Sequence, residues 1–153
     1  MMPEWSAPCA GDAVYIALGS NLGDRGAHLA AARRALGALP GTSIIGESDV
    51  EETAPIGPPG QGPYLNQVVA MHTTIEPLAL LDHLHEIERS RGRVRSERWG
   101  ARTLDLDIVC YGARRIDEPR LVVPHPELAR RDFWQREIAQ ATARIGPTAT
   151  GRA

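Results

Sequence analysis

The chain has no lysine: all 17 of its Lys/Arg positions are arginine. That absence excludes the phosphate loop GxxxxGK[ST], whose lysine reaches the outer phosphates, and the strand lysine of a protein kinase. Any phosphate binding falls to the planar, bidentate arginine fork. A GC-rich coding sequence would give the same bias without any ligand. Aromatics are scarce, with three Trp, three Tyr and one Phe in 153 residues, so the position of each matters. The two cysteines, Cys9 and Cys110, are far apart and form no CxxC pair, so neither a zinc site nor a disulfide framework is expected. No apolar run approaches the roughly 20 residues of a membrane span. The opening MMPEWSAPCAGD lacks the basic and apolar regions of a secretory signal. A net charge of −2 gives no pull toward nucleic acid or membrane. The expectation is a soluble, cytoplasmic, monomeric single domain over residues 13–145, with flexible tails at 1–12 and 146–153.

Hydrophobic periodicity orders what remains. AVYIALGSN (13–21) reads as a buried strand closed by a turn, and DRGAHLAAARRALGAL (24–39) as a helix with Leu29, Ala32, Leu36 and Leu39 on one face. A second strand is expected at 42–53. The stretch 54–63 is a loop, because four prolines and three glycines fall in ten residues. A third strand follows at 64–74. Pro77 near the start and Gly92 at the end frame a helix over 76–92. A fourth strand spans 103–112, a short strand or edge segment lies within 120–128, and a last helix covers 131–145. The order βαββαβ predicts an α+β, ferredoxin-like fold: a four-stranded antiparallel sheet with both helices on one face.

The fourth strand carries TLDLDIVCYG. Strict alternation puts Leu104, Leu106, Ile108 and Cys110 on one face and Thr103, Asp105, Asp107, Val109 and Tyr111 on the other. Aspartate is disfavoured in strands, and here two carboxylates stand about 6–7 Å apart at their Cα atoms. A divalent oxygen-seeking cation such as Mg²⁺ resolves their repulsion, commonly with substrate phosphates as its other ligands. Taken alone, the pair is better read as a solvated polar face on a half-exposed sheet.

The preceding segment, ERSRGRVRSERWGAR (88–102), shifts that balance. Arg89 and Arg91 suit a helix C-terminus, but Arg93, Arg95, Arg98 and Arg102 run on past it. Cations beside a carboxylate pair are what a polyphosphate needs, and Trp99 suits a loop that closes over substrate. Tyr64 and Phe133 could hold a flat heterocycle between them, or pack as ordinary core aromatics. Asn66 shares the strand face of Tyr64 and presents a donor and an acceptor together. His125 is fixed between two prolines.

Together, YIALGSNLGDR, ETAPIGPPGQGPYLNQVV, GRVRSERWGARTLDLDIVCYG and LVVPHPELARRDF resemble the 6-hydroxymethyl-7,8-dihydropterin pyrophosphokinases of folate biosynthesis. The resemblance runs over roughly residues 13–133 and implies the same ferredoxin-like fold. It implies transfer of pyrophosphate from ATP to the pterin hydroxymethyl group, with release of AMP. In that frame Asp105 and Asp107 would hold two Mg²⁺ ions, and Arg93 and Arg102 would grip phosphates during the chemistry. Arg95, Trp99, Arg120, His125 and Arg131 would contact ATP, Ile108 and Val122 would flank its adenine, and Glu88 matches an acid near the nucleotide. Tyr64 and Phe133 would sandwich the pterin, with Thr53, Ile56 and Asn66 on its edge. ATP, the pterin and Mg²⁺ are the only partners implied, with no nucleic acid and no membrane. Beyond Phe133 the family's apolar continuation gives way to WQREIAQATARI. The alternative is a catalytically impaired pterin- or nucleotide-binding homologue on the same fold. More remote is a regulatory domain on which Asp-x-Asp is only a surface feature.

Overall fold

A computed structural model describes residue 9 and residues 11–55, 59–92 and 103–146. The uninterrupted apolar run after Ala13 forms β1 (Val14–Ser20), with every side chain buried, as a central strand requires. The chain turns into α1 (Arg25–Gly37), where the Asp24 carboxylate accepts the Ala27 N–H at 3.1 Å and caps the helix. Leu29, Ala32 and Leu36 are its buried stripe. The segment expected as one strand is two, β2 (Thr42–Glu47) and β3 (Glu51–Thr53).

Both pieces pair with the same long strand, β4 (Tyr64–Thr73). The break between them is stitched at Ser48. Its N–H donates to Val68 O (2.9 Å), its hydroxyl accepts from Val68 N–H (3.0 Å), and its carbonyl accepts from Gln67 Nε2 (2.8 Å). The β-ladder can therefore stop without orphaning backbone groups. Then come α2 (Pro77–Ser90) and β5 (Asp105–Tyr111), a small hairpin of β6 (Ile116–Glu118) and β7 (Leu121–Val123), and α3 (Asp132–Ala143).

The main sheet runs β2-β4-β1-β5, all antiparallel, with β3 beside β4. α1 and α2 cover one face, packing Leu29, Leu36, Leu80 and Leu84 on Ile16, Leu18, Met71 and Ile108. This is the ferredoxin-like arrangement. α3 lies on the other face, over β2 and β4, with Trp134, Ile138 and Ala141 buried against Val68 and Ala70. Gly46 permits that approach, since a Cβ there would stand 2.4 Å from the Ala141 carbonyl oxygen.

Two expectations about β5 change. Tyr15 pairs with Cys110 and Ile16 with Ile108, so Val109 is an inserted bulge residue. The bulge reverses the alternation beyond it. Cys110 joins Val109 on the α3 face, and Tyr111 packs against the α1–α2 core. Turned this way, Cys110 meets Cys9, which the start of β1 brings alongside β5, and the two form a disulfide with Cα atoms 5.3 Å apart. The contact depends on register across 101 residues of chain, for which spacing in the sequence carries no signal.

Candidate functional site

Asp105 and Asp107 project from β5 on the face not covered by α1 and α2. Their neighbours across the ladder are Gly19 and Ala17, the two smallest residue types, so the ladder itself crowds neither carboxylate. Between the two, the Leu106 N–H faces away from the sheet and is accepted by the Glu88 carboxylate at 2.8 Å. Glu88 is 3% exposed on α2, so a buried acid from the helix layer fixes the edge strand that carries both aspartates.

Two clefts meet at this pair. The first, about 600 Å³ including space open to solvent, is lined by Asp105, Asp107, Thr53, Tyr64, Asn66, Arg131, Phe133 and Trp134, with Ala17 and Gly19 at its floor. Asn66 Nδ2 donates to the Thr53 hydroxyl, joining β4 to β3. Phe133 stands at the start of α3, its ring set at 69° to Trp134. Arg131, expected on the nucleotide side, borders this cleft, its guanidinium 4.6 Å from the centre of the Trp134 ring.

The second cleft, about 1060 Å³ on the same basis, opens on the other side of the aspartates. Glu88, Ile108, Arg120, Val122 and His125 line it, with Leu81, His85 and Pro119. Val122 is 43% exposed, an apolar side chain offered to the opening. Arg120 is paired with Asp82, whose carboxyl it holds below the ordinary range. His125 is oriented on three sides. Its backbone N–H donates to the bulge carbonyl of Val109 at 2.9 Å, its Nδ1 accepts from Glu127 N–H at 3.0 Å, and its ring meets Trp134 edge-on at 4.9 Å. With Nδ1 an acceptor, the hydrogen-bond network assigns the ring proton to Nε2, 3.6 Å from Asp107 Oδ1.

Thus Thr53, Tyr64, Asn66 and Phe133 come together in one cleft, and Glu88, Ile108, Arg120, Val122 and His125 in the other, with the aspartates common to both. Ile56, Arg93, Arg95, Trp99 and Arg102 lie outside the described residues. Among the described residues no three His, Cys, Asp or Glu side chains converge as an ion site. Two adjacent carboxylates suit an ion that takes its other oxygens from phosphate and water, as Mg²⁺ does.

Several contributors escaped sequence reasoning. Trp134, Leu81, His85, Ala17 and Gly19 line the clefts without belonging to any charged or paired pattern. Asn21 and Arg25, inside the quoted GSNLGDR, hold the exit of the Pro/Gly loop. Asn21 Nδ2 donates to Gln61 Oε1 (2.9 Å) and Gly62 O (3.3 Å), and Arg25 Nη1 to Glu52 Oε2 (2.9 Å) and Pro63 O (2.8 Å). The motif fixes the backbone that leads into Tyr64.

Comparison with known proteins gives a match over residues 15–143 to the family described as 7,8-dihydro-6-hydroxymethylpterin-pyrophosphokinase. The match runs through α3 and so past Phe133, the end of the motifs that carry the sequence resemblance. Proteins named 2-amino-4-hydroxy-6-hydroxymethyldihydropteridine pyrophosphokinase are similar to the chain. That of Haemophilus influenzae is 45% identical over 119 residues, 78% of this chain and 74% of the relative. That of Pseudomonas aeruginosa is 46% identical over 120 residues, with the same coverage of 78% and 74%. That of Bacillus subtilis is 38% identical over 136 residues, 89% and 81% of the two chains.

Proposed function

The chain belongs to the 7,8-dihydro-6-hydroxymethylpterin-pyrophosphokinase family, and from that premise we propose that it transfers pyrophosphate from ATP to the hydroxymethyl oxygen of 6-hydroxymethyl-7,8-dihydropterin, releasing AMP. One observation carries the reading: Asp105 and Asp107 are the seam between two clefts of different character. An in-line displacement puts the attacking hydroxymethyl oxygen and the leaving AMP on opposite sides of the β-phosphorus.

The first cleft suits the pterin. Tyr64 and Phe133 offer ring faces, and Asn66 and Thr53 offer hydrogen bonds to a heterocycle edge, with Ile56 as a further edge contact. The second cleft suits ATP. Val122, Ile108 and Leu81 give an apolar slot for adenine, while Arg120 and His125 Nε2–H are donors for the ribose-phosphate portion. Arg131, on the pterin side of the aspartates, is positioned for the outer phosphates. Glu88 acts through the backbone of β5, keeping the carboxylates aimed at the seam. Arg93, Arg95 and Arg102 are assigned to the phosphates and Trp99 to closure, on the strength of their sequence position.

Asp105 and Asp107 are the residues that would hold Mg²⁺, two ions in this reading, which when bound supplies charge neutralisation to the triphosphate. The chain's own work is positioning. It lines up the hydroxymethyl oxygen with the β-phosphorus, so that the new P–O bond forms as the bridge to the α-phosphate breaks. In this reading the enzyme acts as a monomer. No helix among the described residues is long and apolar enough to cross a membrane. The reading puts the enzyme in the cytoplasm with its ATP supply, a compartment where a bridge such as Cys9–Cys110 is uncommon.

The test is direct. The protein with ATP, Mg²⁺ and 6-hydroxymethyl-7,8-dihydropterin should form AMP and the pterin pyrophosphate in equal amounts. Formation of ADP, or binding of both substrates without AMP, would reject the reading.

A further inference from the structure

Glu137 lies one turn past Phe133 on α3 and is 2% exposed, on the buried side of the helix with Trp134, Ile138 and Ala141. Were it ionised, neither of its carboxyl oxygens would have a donor. An ionised carboxylate left so would be strongly destabilising. Within hydrogen-bonding reach of it on β3 is Glu51, two residues before Thr53 and opposite Asn66 in the β3–β4 register. The Glu51 carboxylate is held from α3 by Arg136 at 2.9 Å.

The charged groups acting on Glu137 are Glu51 from β3 and Arg136 from its own helix. β4 brings Asn66, Val68 and Ala70 to this face, with the titratable Tyr64 and His72 at its two ends. Burial, reinforced by the hydrogen bond and charge of Glu51, pushes Glu137 up to about 9. The proton that Glu137 turns toward Glu51, together with Arg136, holds Glu51 below the ordinary range. At neutral pH the pair therefore carries one proton and one negative charge, as closely set carboxyls do.

This joint lies beside the first cleft. On one side of it α3 carries Phe133; on the other, β3 carries Thr53, hydrogen-bonded to Asn66. We propose that Glu137 is a positioning residue for the pterin: the proton it shares with Glu51 clamps α3 to β3 and so sets the gap between Phe133 and the Thr53–Asn66 edge. When that proton is lost to solvent, two like charges face each other across the joint and the gap widens. ATP, in the second cleft, does not depend on it. The inference rests on the pterin reading of the first cleft.

The test titrates the intact protein with 6-hydroxymethyl-7,8-dihydropterin, and separately with ATP and Mg²⁺, from pH 7 to pH 10. Wild type is compared with Glu137→Gln, which keeps the shape and a donor but cannot ionise. Ionisation of the pterin itself is common to both proteins and cancels in their ratio. Wild type should lose about 5- to 10-fold more pterin affinity than Glu137→Gln across this range, while ATP affinity changes alike in the two. Glu51→Gln removes the charge that opposes ionisation of Glu137, so it should move the wild-type transition to lower pH. Parallel loss of pterin in wild type and Glu137→Gln, an equal difference for ATP, or an unmoved transition in Glu51→Gln would overturn the proposal. Absence of pterin binding by wild type at pH 7 would overturn it together with the reading beneath it.

Discussion

On one face of the sheet, α1 and α2 lay Leu29, Leu36, Leu80 and Leu84 on Ile16, Leu18, Met71 and Ile108. On the other, α3 covers β2 and β4 with Trp134, Ile138 and Ala141 but leaves the aspartate end of β1 and β5 uncovered. The first face is a non-directional apolar contact, and its strength follows the area removed from water. The second combines a smaller apolar cluster with Asn66, Glu137 and the two aspartates, whose value depends on partners and protonation rather than area. One short helix where the opposite face has two leaves room for clefts. Stability and chemistry are thereby assigned to opposite sides of one set of strands, and substitutions on each side should read out differently.

The sharpest break comes from the open face. Asp107→Ala removes a cleft carboxylate and touches no core residue, so AMP formation should fall by roughly 10²–10³-fold while the melting temperature stays near that of wild type. Turnover close to wild type would remove Asp107 from the chemistry.

The converse substitution is Leu84→Ala, which is fully buried under α2. It should cost about 2–5 kcal/mol in denaturant unfolding and leave the kcat of the folded protein little changed. If kcat collapsed while stability held, the division between the faces would be wrong.

Glu137 tests whether the α3 face is stabilised by protonation. Its folded pKa of about 9 lies above the unfolded carboxyl value of 4.5. Its contribution is therefore fully present below the unfolded value and is lost as pH rises toward the folded one. Between pH 5 and pH 8 wild type should lose about 4 kcal/mol relative to Glu137→Gln. Denaturant curves for both proteins at the two pH values measure this, and identical pH slopes would mean that Glu137 ionises freely.

The smallest effect should come from Asn66→Ala. Loss of its bonds should weaken pterin binding by about 1–2 kcal/mol and leave ATP binding unchanged in isothermal titration. Equal weakening of both ligands would make Asn66 a purely structural link between β4 and β3.

The helix-covered face was readable because burial there follows a simple period. Leu29, Ala32 and Leu36 mark one stripe of α1, and Leu104, Leu106 and Ile108 alternate along their strand, so the βαββαβ order and the core emerge from spacing. The aspartates were readable for the opposite reason, as charges where a strand should be apolar. What stayed hidden depends on single insertions or on distant register. The Val109 bulge reverses Cys110 and Tyr111 without leaving a mark in composition. The break of β2 from β3 turns on hydrogen bonds that Ser48 makes to Val68 and Gln67, residues of another strand. Glu137 reads as a polar residue of a polar tail until Glu51 is seen to face it. His85 and Trp134 join the clefts only once α2 and α3 are docked.

The Cys9–Cys110 bond gives the chain the topology of a ring with one long tail. The ring runs from the segment before β1 around to β5 and encloses the Pro/Gly loop, α2 and Asp105 and Asp107. The tail carries the β6–β7 hairpin and α3. A single peptide-bond cut anywhere between the two cysteines leaves one covalent molecule, which reducing agent would resolve into two fragments. A cut between Cys110 and His125 instead leaves a C-terminal piece with no covalent tie to the rest, and that piece carries His125, Arg131 and Phe133, held by the packing of α3.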